Sequence, residues 1–281
     1  MARHRGTFKP DNPEPFELSR SKIEMFVRCE ACFWLEKVKG VKQPSMPAFL
    51  INSLTDVLLK REMDAYRGIE AHPWIYNQGF PNLIPLDHDD LEDWTDSLQF
   101  GASPKKYNTL HEPTNILFGG GIDDMWLNTK NGQYVLVDFK STANITREKR
   151  QLDLSGKYKE GYKRQMDMYL WIGKQRGYPM SQDTYFFYVD GQNRIHSKVE
   201  EYEGSDKLVP KVKNLTMGID KLGGKGELVF NPSFLHYEAD DSWVEDTLFA
   251  VKKTLNKESC PEHSDGCEHG EYLAAAFEAS K

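Results

Sequence analysis

The stretch "YVLVDFKST", residues 134–142, decides how the rest of the chain is read. Tyr134 to Val137 is short, apolar and β-branched, the pattern of a strand inside a sheet. Asp138 and Lys140 follow with one residue between them, and side chains two apart on a strand share a face. A carboxylate and an amine therefore leave the core side by side. Such a pair is either a salt bridge at a sheet edge or a metal ligand beside a catalytic lysine. The residues around the strand weigh one against the other.

Outward from it the pattern is mixed. Strands are expected at 115–119 and 122–128, separated by a run of three glycines, and again in TYFFYVDG (184–191), RIHSKVE (194–200) and PSFLHYEA (232–239). Helices are expected in LSRSKIEMFVRCEACFWLEKVKG (18–40), SMPAFLINSLTDVLLKREMDAYR (45–67), EGYKRQMDMYLWIGKQRG (160–177) and DSWVEDTLFAVKKTLNK (241–257), with a short one in DDLEDWTDSLQF (89–100). Gly177 closes the third of these. Helices, then strands, then both together indicate an α/β fold with a mixed central sheet flanked by helices. Residues 1–17 are polar and contain proline, and are expected to form a loose arm. With no internal repeat, residues 18–281 are expected to make a single domain.

The length of 281 residues, with 39% apolar and 28% charged residues, allows a large core without disulfide staples. No apolar run approaches membrane-spanning length, and the first residues carry no apolar signal core. A soluble, cytoplasmic protein without membrane contact is expected. Four cysteines in such a chain read as free thiols or metal ligands.

Three short motifs bear on the Asp138/Lys140 pair. Upstream, GGGIDDMWL places Asp123 and Asp124 at the start of the preceding strand, pointing to opposite faces. Downstream, Gln165 and Tyr169 stand four apart on one helical face. In the order Gly121–Asp123, Asp138–Lys140 and Gln165–Tyr169, these motifs resemble the G-x-D, D-x-K and Q-x-x-x-Y of the PD-(D/E)XK nuclease superfamily. The resemblance is to the RecB-type branch, with its CRISPR-associated and AddAB-type exonucleases, and covers about residues 18–190. It implies a restriction-endonuclease-like core and metal-dependent hydrolysis of DNA, exonucleolytic before endonucleolytic, in repair or recombination. By the same resemblance Asp123, Asp138 and the carbonyl of Phe139 are expected to hold Mg²⁺ or Mn²⁺. Such an ion makes a water nucleophilic and gives phosphate charge a place to build. Lys140 is expected to orient or deprotonate that water and to steady the phosphate, with Gln165 and Tyr169 lining the cleft. The family's "I-D-R" pattern selects Asp123, after Ile122, over Asp124.

Two departures from the family stand out. Many RecB-type members carry a metal-binding histidine on the helix after the N-terminal motif; here that stretch has none, and Asn52 takes the aligned place, with Asp56 and Glu62 also polar. Members with an iron–sulfur clasp join their two ends through four cysteines around [4Fe–4S]. Cys29 and Cys32, expected three apart on one helix, and Cys267 in the tail fit that clasp, but position 270 is glycine where a second tail cysteine is expected. Cys260 as the fourth thiolate, His263 or His269 completing a zinc site, or a cluster that has decayed are the open alternatives, with Cys260 favoured over His269.

From Lys140 to Arg164 there are eight basic residues against three acids. Arg147, Lys149, Arg150, Lys157, Lys159, Lys163 and Arg164 are therefore candidate DNA contacts. Single strands or ends are the expected substrate. The chain has no G-x-x-x-x-G-K-[ST], so unwinding would fall to a helicase or other repair or recombination partner. The rival reading is a non-catalytic nucleic-acid-binding or scaffolding relative of the same fold.

Overall fold

The computed structural model describes residues 3–44, 49–144, 152–192 and 230–280. The chain begins with strand β1 (Phe16–Ser19), helices α1 (Arg20–Arg28), α2 (Glu30–Lys37), α3 (Leu50–Asp64) and α4 (Pro73–Asn77), and strand β2 (Leu83–Pro85). Helix α5 (Leu91–Thr95) leads to strands β3 (Asn108–His111), β4 (Ile116–Gly119), β5 (Asp124–Asn128) and β6 (Gln133–Asn144). Then come α6 (Lys157–Gln175), β7 (Asp183–Gln192), β8 (Phe230–Glu238), α7 (Val244–Leu255) and α8 (Glu268–Ala279). The α/β class expected from the sequence is observed.

The strands form two sheets where one was expected: five strands in the order β2-β5-β6-β7-β8, and three in the order β1-β4-β3. Strands β5 and β6 form an antiparallel hairpin whose loop ends on Asn131–Gly132, with Gly132 at φ 75°. That conformation suits glycine, which has no Cβ to clash. Strands β6 and β7 are parallel, so the chain must cross over between them, and α6 lies within that crossover.

Period-two alternation along β6 feeds two cores. Val135, Val137 and Phe139 join Met63, Ile75, Trp126 and Phe187 on one face. Tyr134 and Leu136 join the α6 residues Met166, Leu170 and Ile172 on the other. Asp138 and Lys140 continue this second face, toward α6. Every residue of α6 from Gln165 to Gly173 is buried. The helix is therefore covered on all sides in its second half, and its apolar period is blurred accordingly. Gly177 ends it as expected, in the left-handed conformation at φ 78°.

Strands β1, β2 and β3 and helix α8 were not expected, and two expected segments take another form. The N-terminal segment is docked, not loose: His4 and Phe8 are buried and pack with Phe16, while Arg3 pairs with Glu17. Three apolar or aromatic residues in a polar segment suffice to seat it, a number too small to form a period. The helix expected over 18–40 is broken in two at Cys29, whose backbone is extended (φ −162°, ψ 108°). The strand expected at 194–200 lies outside the described residues. No helix among the described residues is long and apolar enough to cross a membrane.

Candidate active site and cysteine–histidine centre

The β5–β6 pairing sets Asp124 opposite Val137, so Asp123 just before β5 comes level with Asp138 and Phe139. Asp123 Oδ2 accepts the Phe139 N–H at 2.9 Å and lies 4.0 Å from Lys140 Nζ. Asp138 is buried and forms a close ion pair with Lys140. Gln165 Nε2 donates to Asp138 Oδ1 at 2.6 Å, while the Lys140 ammonium lies against Asp138 Oδ2. The Tyr169 hydroxyl donates to the Gly121 carbonyl at 2.6 Å, which fixes the loop that delivers Asp123. The structure thus brings together Asp123, Asp138, Lys140, Gln165 and Tyr169. The Phe139 carbonyl lies 3.4 Å from Lys140 Nζ.

Asp124 points elsewhere. It is buried and accepts from Arg67, the Trp126 indole and the Met125 N–H. Its partners are structural, and burial still lifts its pKa despite Arg67.

The electrostatics of the site follow from crowding in a dry place. Burial pushes the Asp138 carboxyl up to about 7, with Asp123 adding to the rise and Lys140 opposing it. Burial acts against the Lys140 ammonium, but the charges of Asp138 and Asp123 outweigh it and hold the pKa above the usual lysine value. Tyr162 stacks under this amine, with Lys140 Nζ 5.0 Å and Lys159 Nζ 5.4 Å from its ring centre.

Asn52 does not take the expected place: it is exposed on α3. One turn later Asp56 faces the cluster. Its pKa is raised by burial and by the charge of Asp123, and Lys60 and Lys140 oppose the rise. A one-turn shift is invisible in a helix whose ends are not capped by side chains.

Arg20 is a site residue that the sequence reading missed. Ser19 pairs with Gly119 in the parallel β1–β4 ladder, so the first residue of α1 falls beside the loop carrying Gly121 and Asp123. There the Arg20 guanidinium lies near the Tyr169 phenol and near Lys140, and its charge opposes the rise in the pKa of each. Only the fold, which joins β1 to β4, could reveal it.

The candidate DNA contacts divide. Arg164 is held by Glu24 through two hydrogen bonds of 2.8 Å, and Lys163 by Glu160 at 2.8 Å. Lys159 donates to the Tyr188 hydroxyl at 2.6 Å, and Lys157 is exposed. Arg164 and Lys163 are thus paired within the protein, because acids distant in sequence or one turn away reach them first. Arg147, Lys149 and Arg150 lie outside the described residues. Trp171 is core, whereas Tyr158 is 93% exposed at the start of α6.

A second cluster joins the two ends of the chain. Cys29, Cys32, Cys267 and His263 place one ligand atom each within 4.8 Å of all the others, an arrangement able to hold a metal ion. Cys29 belongs to neither helix, so the convergence does not arise from a shared helical face. Cys260, the favoured fourth ligand, is exposed and outside the group; His263 takes its place. Burial lifts both N-terminal thiols. Donors around Cys29, led by the Ser264 N–H, nonetheless bring it down to about 6, whereas Cys267 and Cys29 help hold Cys32 up at about 12.

No protein-family model, curated protein or solved structure matches this chain. The site must therefore be judged on its residues alone.

Proposed function

We propose that the chain is a divalent-metal-dependent nuclease of the PD-(D/E)XK type that hydrolyses DNA on single strands or at ends. The observation that carries this reading is Asp138: a buried carboxylate with one oxygen held by Gln165 and the other by Lys140, set beside the second carboxylate of Asp123. Burying carboxylates together is costly unless a cation is shared, and Lys140 serves both Asp123 and Asp138. Hard oxygen donors of this kind suit Mg²⁺ or Mn²⁺. When bound, the ion supplies an acidified water and neutralises phosphate charge.

The protein's own groups have separate tasks in this reading. Gln165 fixes the rotation of the Asp138 carboxylate, and the Phe139 N–H does the same for Asp123. Tyr169 anchors the Gly121 carbonyl, so the loop cannot withdraw Asp123. Lys140, kept protonated by its carboxylates, steadies charge on the phosphate oxygens and is poorly suited to remove a proton. Arg20 offers a planar guanidinium at the same edge, fit to take a phosphate in a bidentate grip. Exposed Tyr158 is placed to stack a base. A repair or recombination role with a helicase partner belongs to the same reading, as does a cytoplasmic location.

The test is incubation of purified protein with labelled single- and double-stranded DNA in Mn²⁺, Mg²⁺ or EDTA. Cleavage that needs the metal supports the reading. Binding without cleavage is the behaviour of a non-catalytic relative and overturns it.

A further inference from the structure

The resemblance that points to a nuclease also implies a [4Fe–4S] clasp, and the ligand geometry does not fit one. In a cube each cysteine binds a different iron, so its sulfurs stand well apart. Here Cys32 Sγ lies 3.4 Å from Cys267 Sγ. His263 Nδ1 lies 3.4 Å from Cys29 Sγ, 3.7 Å from Cys32 Sγ and 3.6 Å from Cys267 Sγ. A single tetrahedral zinc, with Zn–S of ~2.3 Å and Zn–N of ~2.0 Å, sets sulfur about 3.8 Å from sulfur and about 3.5 Å from nitrogen. The four atoms are spaced for one ion.

The sequence around the imidazole agrees. At position 270, where a clasp cysteine is expected, a Cβ would lie 2.5 Å from His263 Cγ and 2.7 Å from its Cβ. Real Cβ atoms do not approach so closely, so the glycine is what admits the histidine ring. A cysteine at 270 and the His263 ring in its present place exclude one another. The ends being joined are already in register: the Trp34 indole donates to the Lys257 carbonyl at 3.0 Å, and Lys257 pairs with Glu30 at 2.6 Å.

We infer that Cys29, Cys32, His263 and Cys267 hold one structural zinc ion, and not an iron–sulfur cube, with Gly270 making room for the imidazole ligand. Such an ion ties α2 to the segment between α7 and α8 across more than two hundred residues of chain. A closed four-ligand site has no open position for chemistry, so its contribution is to folding. This inference does not rest on the nuclease reading, and its readouts do not involve cleavage.

The experiment is elemental analysis and zinc-edge X-ray absorption on full-length protein purified anaerobically under reducing conditions. About one zinc per chain, with three sulfurs and one nitrogen in the shell, is expected. Cys260→Ser should keep the zinc, whereas His263→Ala and Gly270→Val should lose most of it. Iron with acid-labile sulfide overturns the inference, as does a four-sulfur shell that depends on Cys260. Protein free of both metals, with a melting temperature indifferent to added zinc, overturns it equally. The absorption measurement on wild-type protein decides the matter even where a variant does not fold.

Discussion

Arg67→Ala separates the structural acid of the Asp123–Asp124 pair from the chemical one. Asp124 is 1% exposed, and among the described residues Arg67 is the cation paired with it, through contacts of 3.1 and 3.3 Å. Removing one partner of a buried ion pair leaves the other charge stranded, at a cost of about 3–5 kcal/mol. Arg67 also donates to the Leu86 carbonyl at 2.8 Å, so the upper part of that range applies. For a chain of this size each kcal/mol lowers the melting temperature by about 2–4 °C, giving a fall on the order of 10 °C. Urea denaturation of wild type, Arg67→Ala and the double variant Arg67→Met with Asp124→Asn measures it. The double variant removes both charges and should regain part of the loss. Asp123→Asn, whose side chain is 24% exposed and whose amide oxygen can still accept the Phe139 N–H, should melt within ~1 kcal/mol of wild type while losing cleavage. An Arg67→Ala protein as stable as wild type, or cleavage lost in Asp124→Asn but kept in Asp123→Asn, refutes the assignment.

Other perturbations reach other parts of the account. Gly121→Ala would set a Cβ 2.4 Å from the Thr95 carbonyl oxygen, so the loop must move and stability should fall by about 1–3 kcal/mol; an unchanged denaturation midpoint contradicts the packing. On the proposed reading Arg20→Ala should raise KM for DNA about tenfold or more, with kcat less affected and Arg20→Lys only a partial rescue; steady-state kinetics on short oligonucleotides would show the split. Burial lifts the Asp167 carboxyl to about 6, although Trp243, Tyr237 and the Asp240 N–H donate to it. Its folded pKa is thus above the unfolded value, so it contributes stability that is fully present below pH ~4 and lost as pH rises through about 6. The stability difference between wild type and Asp167→Asn should accordingly grow as pH falls from 8 to 5, and a pH-independent difference contradicts the shift.

Legibility in the sequence followed the range of the interaction. Alternation along Tyr134–Lys140 is local, and it placed Asp138 and Lys140 on the face that meets α6. The same alternation separated Asp123 from Asp124, and the four-residue spacing of Gln165 and Tyr169 set both toward the strands. Long-range events left no such trace. Glu24 captures Arg164 from 140 residues away, which turned a candidate DNA contact into an internal pair. Arg20 reaches the site only because β1 pairs with β4. Cys29 converges with Cys32 through an extended residue between two helices, where a single helix was expected. His263 was one of several polar residues in the tail until the tight space at Gly270 distinguished it from Cys260 and His269.

The most direct measurement of the central claim is cleavage of 5′-labelled single-stranded DNA by wild type, Asp138→Asn and Lys140→Ala in Mn²⁺, with EDTA as control and circular dichroism to confirm folding. The account predicts cleavage by wild type only, lost in EDTA and lost in both variants while each still binds the strand. A folded Asp138→Asn or Lys140→Ala protein cutting at the wild-type rate, or a wild type inert in every metal, would contradict it.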